Sequence, residues 1–161
     1  MIRTLITAVI CGLSLSGATI ETTETDYLTT EETETEVVYA IPHTDDEFEI
    51  LSRIISAEAG NCEWDMMLYV GSVFLNRVAS DKFPNTFYEV AFQTNPPQYT
   101  PTINGAYWNE VTEGAKEVTE YLLRYGSQAP ADVLYQANFI QGRGEWKHLS
   151  TSYSTMYFCY G

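Results

Sequence analysis

Apolar and polar positions divide this chain into three regimes. Leu5 to Leu15 is an almost unbroken apolar run behind a single basic residue, Arg3. From Thr19 to about Asp46 apolar residues become sparse and Thr, Glu and Asp take over. From Phe48 onward they return at intervals of three and four, as Phe48, Leu51, Ile54 and Ile55, the stripe of an amphipathic helix. Asp45-Asp46-Glu47 opens that helix with acids at its positive end, and Gly60-Asn61 stops it. A second helix is predicted from about Glu63 to Ala79 on Trp64, Met67, Leu68, Gly71, Phe74, Leu75 and Val78. Gly71 weakens a helix interior, so its presence predicts close packing against the first helix. Ser80 to Asn85 reads as a turn, and Thr86 caps a short helix through Phe87, Val90 and Ala91. Gln93 to Trp108 holds three prolines and reads as a long polar–aromatic loop. Asn109 or Thr112 opens a further long helix through Val111, Ala115, Val118, Leu122 and Leu123, ended by Gly126. Val133 to Ala137 and Met156 to Tyr160 read as short strands. The sum is an α+β domain, mostly helical, with a small β region.

Composition sharpens the first two regimes. Arg3, the apolar run and the small residues Ser16-Gly17-Ala18 together read as a secretory signal peptide over residues 1–18, with an uncleaved N-terminal anchor as the alternative. Residues 19–46 carry no Lys or Arg and too little apolar surface to offset their ordering entropy, so they read as a disordered acidic linker. The domain proper is then 47–161. The net charge of −14 belongs mostly to the front of the chain: eleven of the 22 acids precede Leu51, and eleven acids face seven bases after it. That balance argues against a nucleic-acid surface, and the lack of a Gly-rich phosphate loop argues against a nucleotide. No cofactor is expected. Cys62 and Cys159, an even pair in a secreted chain, suggest a disulfide. No CxxC or HxxxH spacing joins them to His43 or His148 as a metal site, so none is expected.

One residue breaks the apolar pattern in a way that points to chemistry. Glu58 stands among Ile54, Ile55, Ala57 and Ala59 at the C-terminal end of the first helix. The negative helix end and burial both raise a carboxyl pKa, the condition a general acid needs near neutral pH. The competing reading is a surface glutamate paired with Arg53 or Arg77. Glu63, Asp65 and Asp81 are the nearest further acids, and each has a local reason to be where it is, so the pattern reads as a single-acid site. Gln93, Gln98, Tyr99, Tyr107, Trp108, Tyr135 and Asn138 combine aromatic faces with amides and could line a glycan groove. No G-x-S-x-G is present to support a serine nucleophile.

The string Ala57-Glu58-Ala59, then Val70-Gly71-Ser72-Val73-Phe74-Leu75-Asn76-Arg77-Val78, then Phe83-Pro84-Asn85-Thr86, resembles the cell-wall hydrolase family that includes the spore cortex-lytic enzymes. Gln98-Tyr99-Thr100-Pro101, Leu134-Tyr135-Gln136-Ala137-Asn138-Phe139 and the ending in Phe158-Cys159 extend the resemblance over about residues 47–161. It implies a lysozyme-like, lytic-transglycosylase-like fold acting on the glycan strands of peptidoglycan. It implies Glu58 as the catalytic acid of β-1,4 cleavage between N-acetylmuramic acid and N-acetylglucosamine, with Gln98, Tyr99, Thr100, Tyr135 and Asn138 on the substrate side. Family members often have Arg-Gly-Glu after Ala-Glu-Ala, where this chain has Gly60-Asn61-Cys62-Glu63. The acidic Thr-rich segment stands where a wall-binding repeat would, so a generally secreted or cell-surface monomer is expected rather than a dedicated spore enzyme.

Three functions follow from these residues. The first is a peptidoglycan-cleaving enzyme that uses Glu58 as acid and then base, by transglycosylation or by lysozyme-type hydrolysis. The second is a glycan-binding module that keeps the groove without turnover. The third is a thiol hydrolase built on Cys62 and His148.

Overall fold

The computed structural model describes residues 37–152 and 154–161. The expected signal peptide, and the expected linker up to residue 36, lie outside the described residues. Five helices run in chain order: α1 (Asp45–Ala59), α2 (Trp64–Ala79), α3 (Phe87–Ala91), α4 (Pro101–Asn104) and α5 (Glu113–Tyr125), with a 3₁₀ turn at Ala106–Trp108. Three strands follow: β1 (Val133–Ala137), β2 (Glu145–Ser150) and β3 (Thr155–Tyr160). They form an antiparallel sheet in the order β1-β3-β2.

Local signals set the helix ends. Thr44 closes a capping box on α1, its hydroxyl accepting from Glu47 N while the Glu47 carboxylate accepts from Thr44 N at 2.8 Å. Thr86 and Thr112 cap α3 and α5 in the same way, each accepting from the backbone three residues on. At Gly126 the chain leaves α5 with φ +81°, which favours glycine. The chain before α1 is held as well: Ala40 N and Ile41 N donate to the Arg124 and Leu123 carbonyls, and the Tyr39 hydroxyl donates to Glu120. Residues 39–41, ahead of the boundary expected at residue 47, are thus bonded to α5.

The core forms where α1, α2 and α5 meet, with Leu51, Ile54, Ile55, Val70, Val73, Phe74, Val118, Leu122 and Leu123 all fully buried. Gly71 sits at that meeting point. A Cβ there would press on Leu122 Cδ1 and lie 2.7 Å from Ile55 Cδ1, so the glycine lets α2 touch both partners. The close approach expected against α1 is thus shared with α5.

The sheet is tied to the helices by α2. The Asn76 side-chain amide donates to the Pro130 carbonyl at 2.8 Å and the Val133 carbonyl at 3.0 Å, and Arg77 Nε donates to the Leu134 carbonyl at 2.8 Å. Asn76 and Arg77, 5 % and 2 % exposed, are buried polar residues, and the Asn76 amide and Arg77 Nε meet the backbone entering β1. The Leu-Asn-Arg-Val string therefore does structural work at the seam between helices and sheet.

Two differences from the pattern-based expectation stand out. The polar–aromatic segment contains α4, entered with Pro101 in its first turn, and the 3₁₀ turn. And β2, which no apolar alternation announced, pairs along β3 as an edge strand. The expected disulfide is not formed: Cys62 and Cys159 are both free thiols. Cys159 is buried in the central strand β3, opposite Tyr135 and Glu145, whereas Cys62 lies in the turn between α1 and α2. The pairing of β3 on both sides and the packing around its buried thiol give each cysteine a place of its own.

Candidate active site

Glu58 continues the buried stripe of α1. Leu51, Ile54 and Ile55 precede it at positions i−7, i−4 and i−3, so its carboxyl falls where the pattern calls for an apolar side chain. The residue is half-buried, and burial raises its pKa above the ordinary 4.5. The charge of Arg77 and a hydrogen bond from the Gln136 side chain act in the opposite direction without cancelling the effect. Three elements thus converge on one carboxyl: the end of α1, the end of α2 and strand β1.

Tyr99 joins this cluster through Arg77. It is fully buried, and burial raises the pKa of its hydroxyl, so the phenol stays protonated; the charge of Arg77 opposes that shift and Glu58 adds to it. The Arg77 guanidinium carbon lies 4.9 Å from the Tyr99 ring centroid and 5.2 Å from that of Phe83. Phe83 in turn meets Tyr135 edge-on at 6.3 Å. The contacts Tyr135–Phe83–Arg77–Tyr99 run from the half-buried side of the sheet to a fully buried ring.

The pairing alternatives for Glu58 are resolved by these contacts. Arg53 forms its ion pair with Glu49 at 2.7 Å and donates to the Tyr107 and Asn109 carbonyls, so it is occupied on another face of α1. Arg77 does act on Glu58, yet from a cage of aromatic faces within the protein rather than as a solvated partner.

The residues expected on the substrate side fall into two groups. Tyr135 is half-buried and reaches the cluster through Phe83, while Asn138, just past β1, is exposed. Thr100 is exposed at the start of α4, and the Gln98 side chain donates to the Pro96 carbonyl. Tyr99 is placed differently from the expectation: with no exposed surface, and its ring packed against Arg77 and Phe74, it offers no ring face to a sugar. Tyr107 and Trp108 belong to the side of α1 held by Arg53, away from the Glu58 stripe. Sequence reasoning missed Gln136 as a partner of the acid, and it weighed Arg77 only as an ion-pairing alternative. The signal for Gln136 lay in the family-like Leu-Tyr-Gln-Ala-Asn-Phe segment, but its meaning depended on which residue of β1 faces α1.

The thiol reading loses its chemistry here. Burial, with the nearby Glu63 charge, raises the Cys62 pKa, the wrong direction for a nucleophile. His148 Nδ1 bonds Glu145 at 2.6 Å, so the imidazole has its carboxylate partner on β2.

Comparison with known proteins gives the family and the fold. The model of the Cell Wall Hydrolase family matches residues 64–158. This chain belongs to the cell wall hydrolase family. The match begins six residues after Glu58, so the acid lies just ahead of the matched span, joined to it by the turn into α2. Among solved structures, the fold of this cell wall hydrolase is similar to the catalytic domain of the germination-specific lytic transglycosylase SleB from Bacillus anthracis. The two share 20% identity over 73% of this chain and 99% of that one, with a TM-score of 0.56. It is also similar to the catalytic domain of the Bacillus cereus SleB protein, at 18% identity over 73% of this chain and 94% of that one, with a TM-score of 0.55. The mostly helical α+β architecture with a small β region, expected from the sequence, is the one these structures share. No curated protein matches the chain.

Proposed function

We propose that this cell wall hydrolase cleaves the β-1,4 bond between N-acetylmuramic acid and N-acetylglucosamine in peptidoglycan as a lytic transglycosylase, with Glu58 serving as acid and then as base. The observation that carries the reading is a half-buried carboxyl of raised pKa at the end of α1, attended by Arg77 and Gln136. Protonated Glu58 gives its proton to the glycosidic oxygen, and the C1–O bond breaks with its electron pair going to the leaving sugar. The resulting carboxylate takes the proton of the muramoyl 6-hydroxyl, whose oxygen bonds to C1. A 1,6-anhydro ring closes, Glu58 is protonated again, and no water is consumed. One carboxyl completes this cycle, whereas hydrolysis by the usual glycosidase route employs two.

In this reading Gln98, Thr100, Tyr135 and Asn138 border the strand-binding surface, and Tyr99 supports Arg77 from within the core. Residues 1–18 direct the protein out of the cell, and the acidic segment spaces the domain from its point of release. The work is then done as a monomer on a glycan strand in the cell wall. Incubation with purified sacculi tests turnover. Soluble muropeptides released in proportion to enzyme are expected, and binding to sacculi with no soluble product would favour the glycan-binding module instead.

A further inference from the structure

We propose that the groove between the α1–α2 turn and the end of β2 is a further subsite for the glycan strand, with Trp64 as the ring on which an uncharged sugar stacks. The inference rests on the reading of peptidoglycan glycan as the substrate.

Two cavities make up the groove. One, of about 370 Å³, has Trp64, Asp65 and Leu149 in its wall; the other, of about 650 Å³, reaches Asn61 and Cys62. Glu63, Ser150 and Thr151 line both and so join them. Each volume falls within the range of small-molecule sites, about 300–1,000 Å³. The groove starts where the helix that carries Glu58 stops: α1 ends at Ala59, and Asn61 is two residues on. At its other end a strip of aromatic rings leads out over the surface. Trp64 is 39 % exposed and meets Tyr121 edge-on at 5.9 Å, and Tyr121 meets Tyr125, 58 % exposed, at 4.8 Å. Tyr121 and Tyr125 are one turn apart on α5, so the three rings form a row across α2 and α5.

Exposed rings gathered beside a groove mark an interaction surface rather than a core. The lining decides what it takes. Among the described residues it carries the carboxylates of Glu63 and Asp65 and no Lys or Arg, so it repels an anionic ligand. Asn61, Glu63 and Asp65 are all exposed, which leaves their amide and carboxylate oxygens open to a ligand. A neutral sugar matches this set. Its C–H face packs on the indole, and its hydroxyls donate to the carboxylate and amide oxygens. A strand fits the groove and the strip together, because successive sugars of one chain can lie in both. The groove adjoins the end of α1, so a strand held there continues from the sugars at Glu58.

The test is calorimetric titration of the full chain with glycan strands freed of their peptides by an amidase. Glu58→Gln serves as the parent, so that the strands are not consumed, and thermal melts run alongside. Adding Trp64→Ala is expected to weaken binding roughly 10-fold, the scale of a truncated aromatic anchor. Trp64→Phe, which restores a ring, is expected to recover most of the affinity, with the melting temperatures of the two variants alike. An unchanged Kd in Trp64→Ala overturns the proposal. Should that variant fail to fold, Tyr125→Ala decides: weaker strand binding is expected, and an unchanged Kd overturns the proposal. If Trp64→Ala instead leaves strand binding intact and breaks a dimer seen by light scattering, the strip is a contact between copies of this chain, which also overturns it. A parent that binds no strands at all would overturn the peptidoglycan reading and the groove with it, whereas a parent that binds them equally well with or without Trp64 overturns the groove alone.

Discussion

Glu58→Gln is expected to lower peptidoglycan turnover about 10²- to 10⁴-fold, the usual contribution of a positioned general acid, and to leave the protein more resistant to unfolding near neutral pH. The two effects have one cause. Glu58 occupies the position on the α1 stripe where an apolar residue would pack, and burial raises its pKa above 4.5. A group whose folded pKa is raised contributes stability that is fully present below the unfolded value and is lost as pH rises through the folded value. Glutamine has no proton to lose there. The melting temperature of the variant should therefore exceed that of the wild type at pH 7–8, and the gap should close below about pH 4.5. Melts at several pH values, paired with turnover of sacculi, check both halves. A variant that is inactive because it is unfolded would show the opposite change in stability.

Asn76→Asp is the substitution expected to damage the fold most for its size. The Asn76 amide supplies both hydrogen bonds that hold the Pro130 and Val133 carbonyls, in a side chain 5 % exposed. Aspartate has the same shape but turns a donor pair into acceptors facing two carbonyls. Leaving buried carbonyls unpaired costs about 1–3 kcal/mol each, so for these two a loss of about 2–6 kcal/mol is expected. Denaturant unfolding should show a lower midpoint with a similar slope. Because Arg77 is the next residue and bonds the adjacent Leu134 carbonyl, loosening β1 should also reduce turnover in whatever fraction remains folded.

The helical half of the fold was legible because its signals are local. Asp45-Asp46-Glu47 marked the start of α1, Thr86 that of α3, Asn109 or Thr112 that of α5, and Gly71 advertised a close helix contact. The strand read at Val133 to Ala137 coincides with β1, and the one read at Met156 to Tyr160 falls within β3. β2 escaped notice because Glu145, Lys147, His148 and Ser150 leave little alternation to see. It is an edge strand, where charged side chains are tolerated and help to discourage further pairing. Similarly, α4 is a single turn started by Pro101, too short for any periodicity.

Within the site, Glu58 was legible because a carboxyl among Ile54, Ile55, Ala57 and Ala59 contradicts its surroundings. Its partners were not, since Gln136 and Arg77 lie 78 and 19 residues further along the chain and meet it only after β1 docks on α2. Tyr99 shows the limit from the other side. An aromatic in a polar loop reads as a sugar platform, yet here the loop folds inward and the ring becomes the floor on which Arg77 rests. The cysteines fail as a pair for a similar reason: even count and secretion say nothing about where each thiol lies, and the sheet encloses one while the interhelical turn carries the other.

The central claim is that one carboxyl, Glu58, both gives and retrieves the proton. Mass spectrometry of the muropeptides released from purified sacculi tests it most directly. Muramoyl ends lighter by one water than the hydrolysed form, and resistant to reduction, are the predicted result. Reducible muramic ends carrying that water would contradict it, because a water molecule would then have taken the place of the 6-hydroxyl.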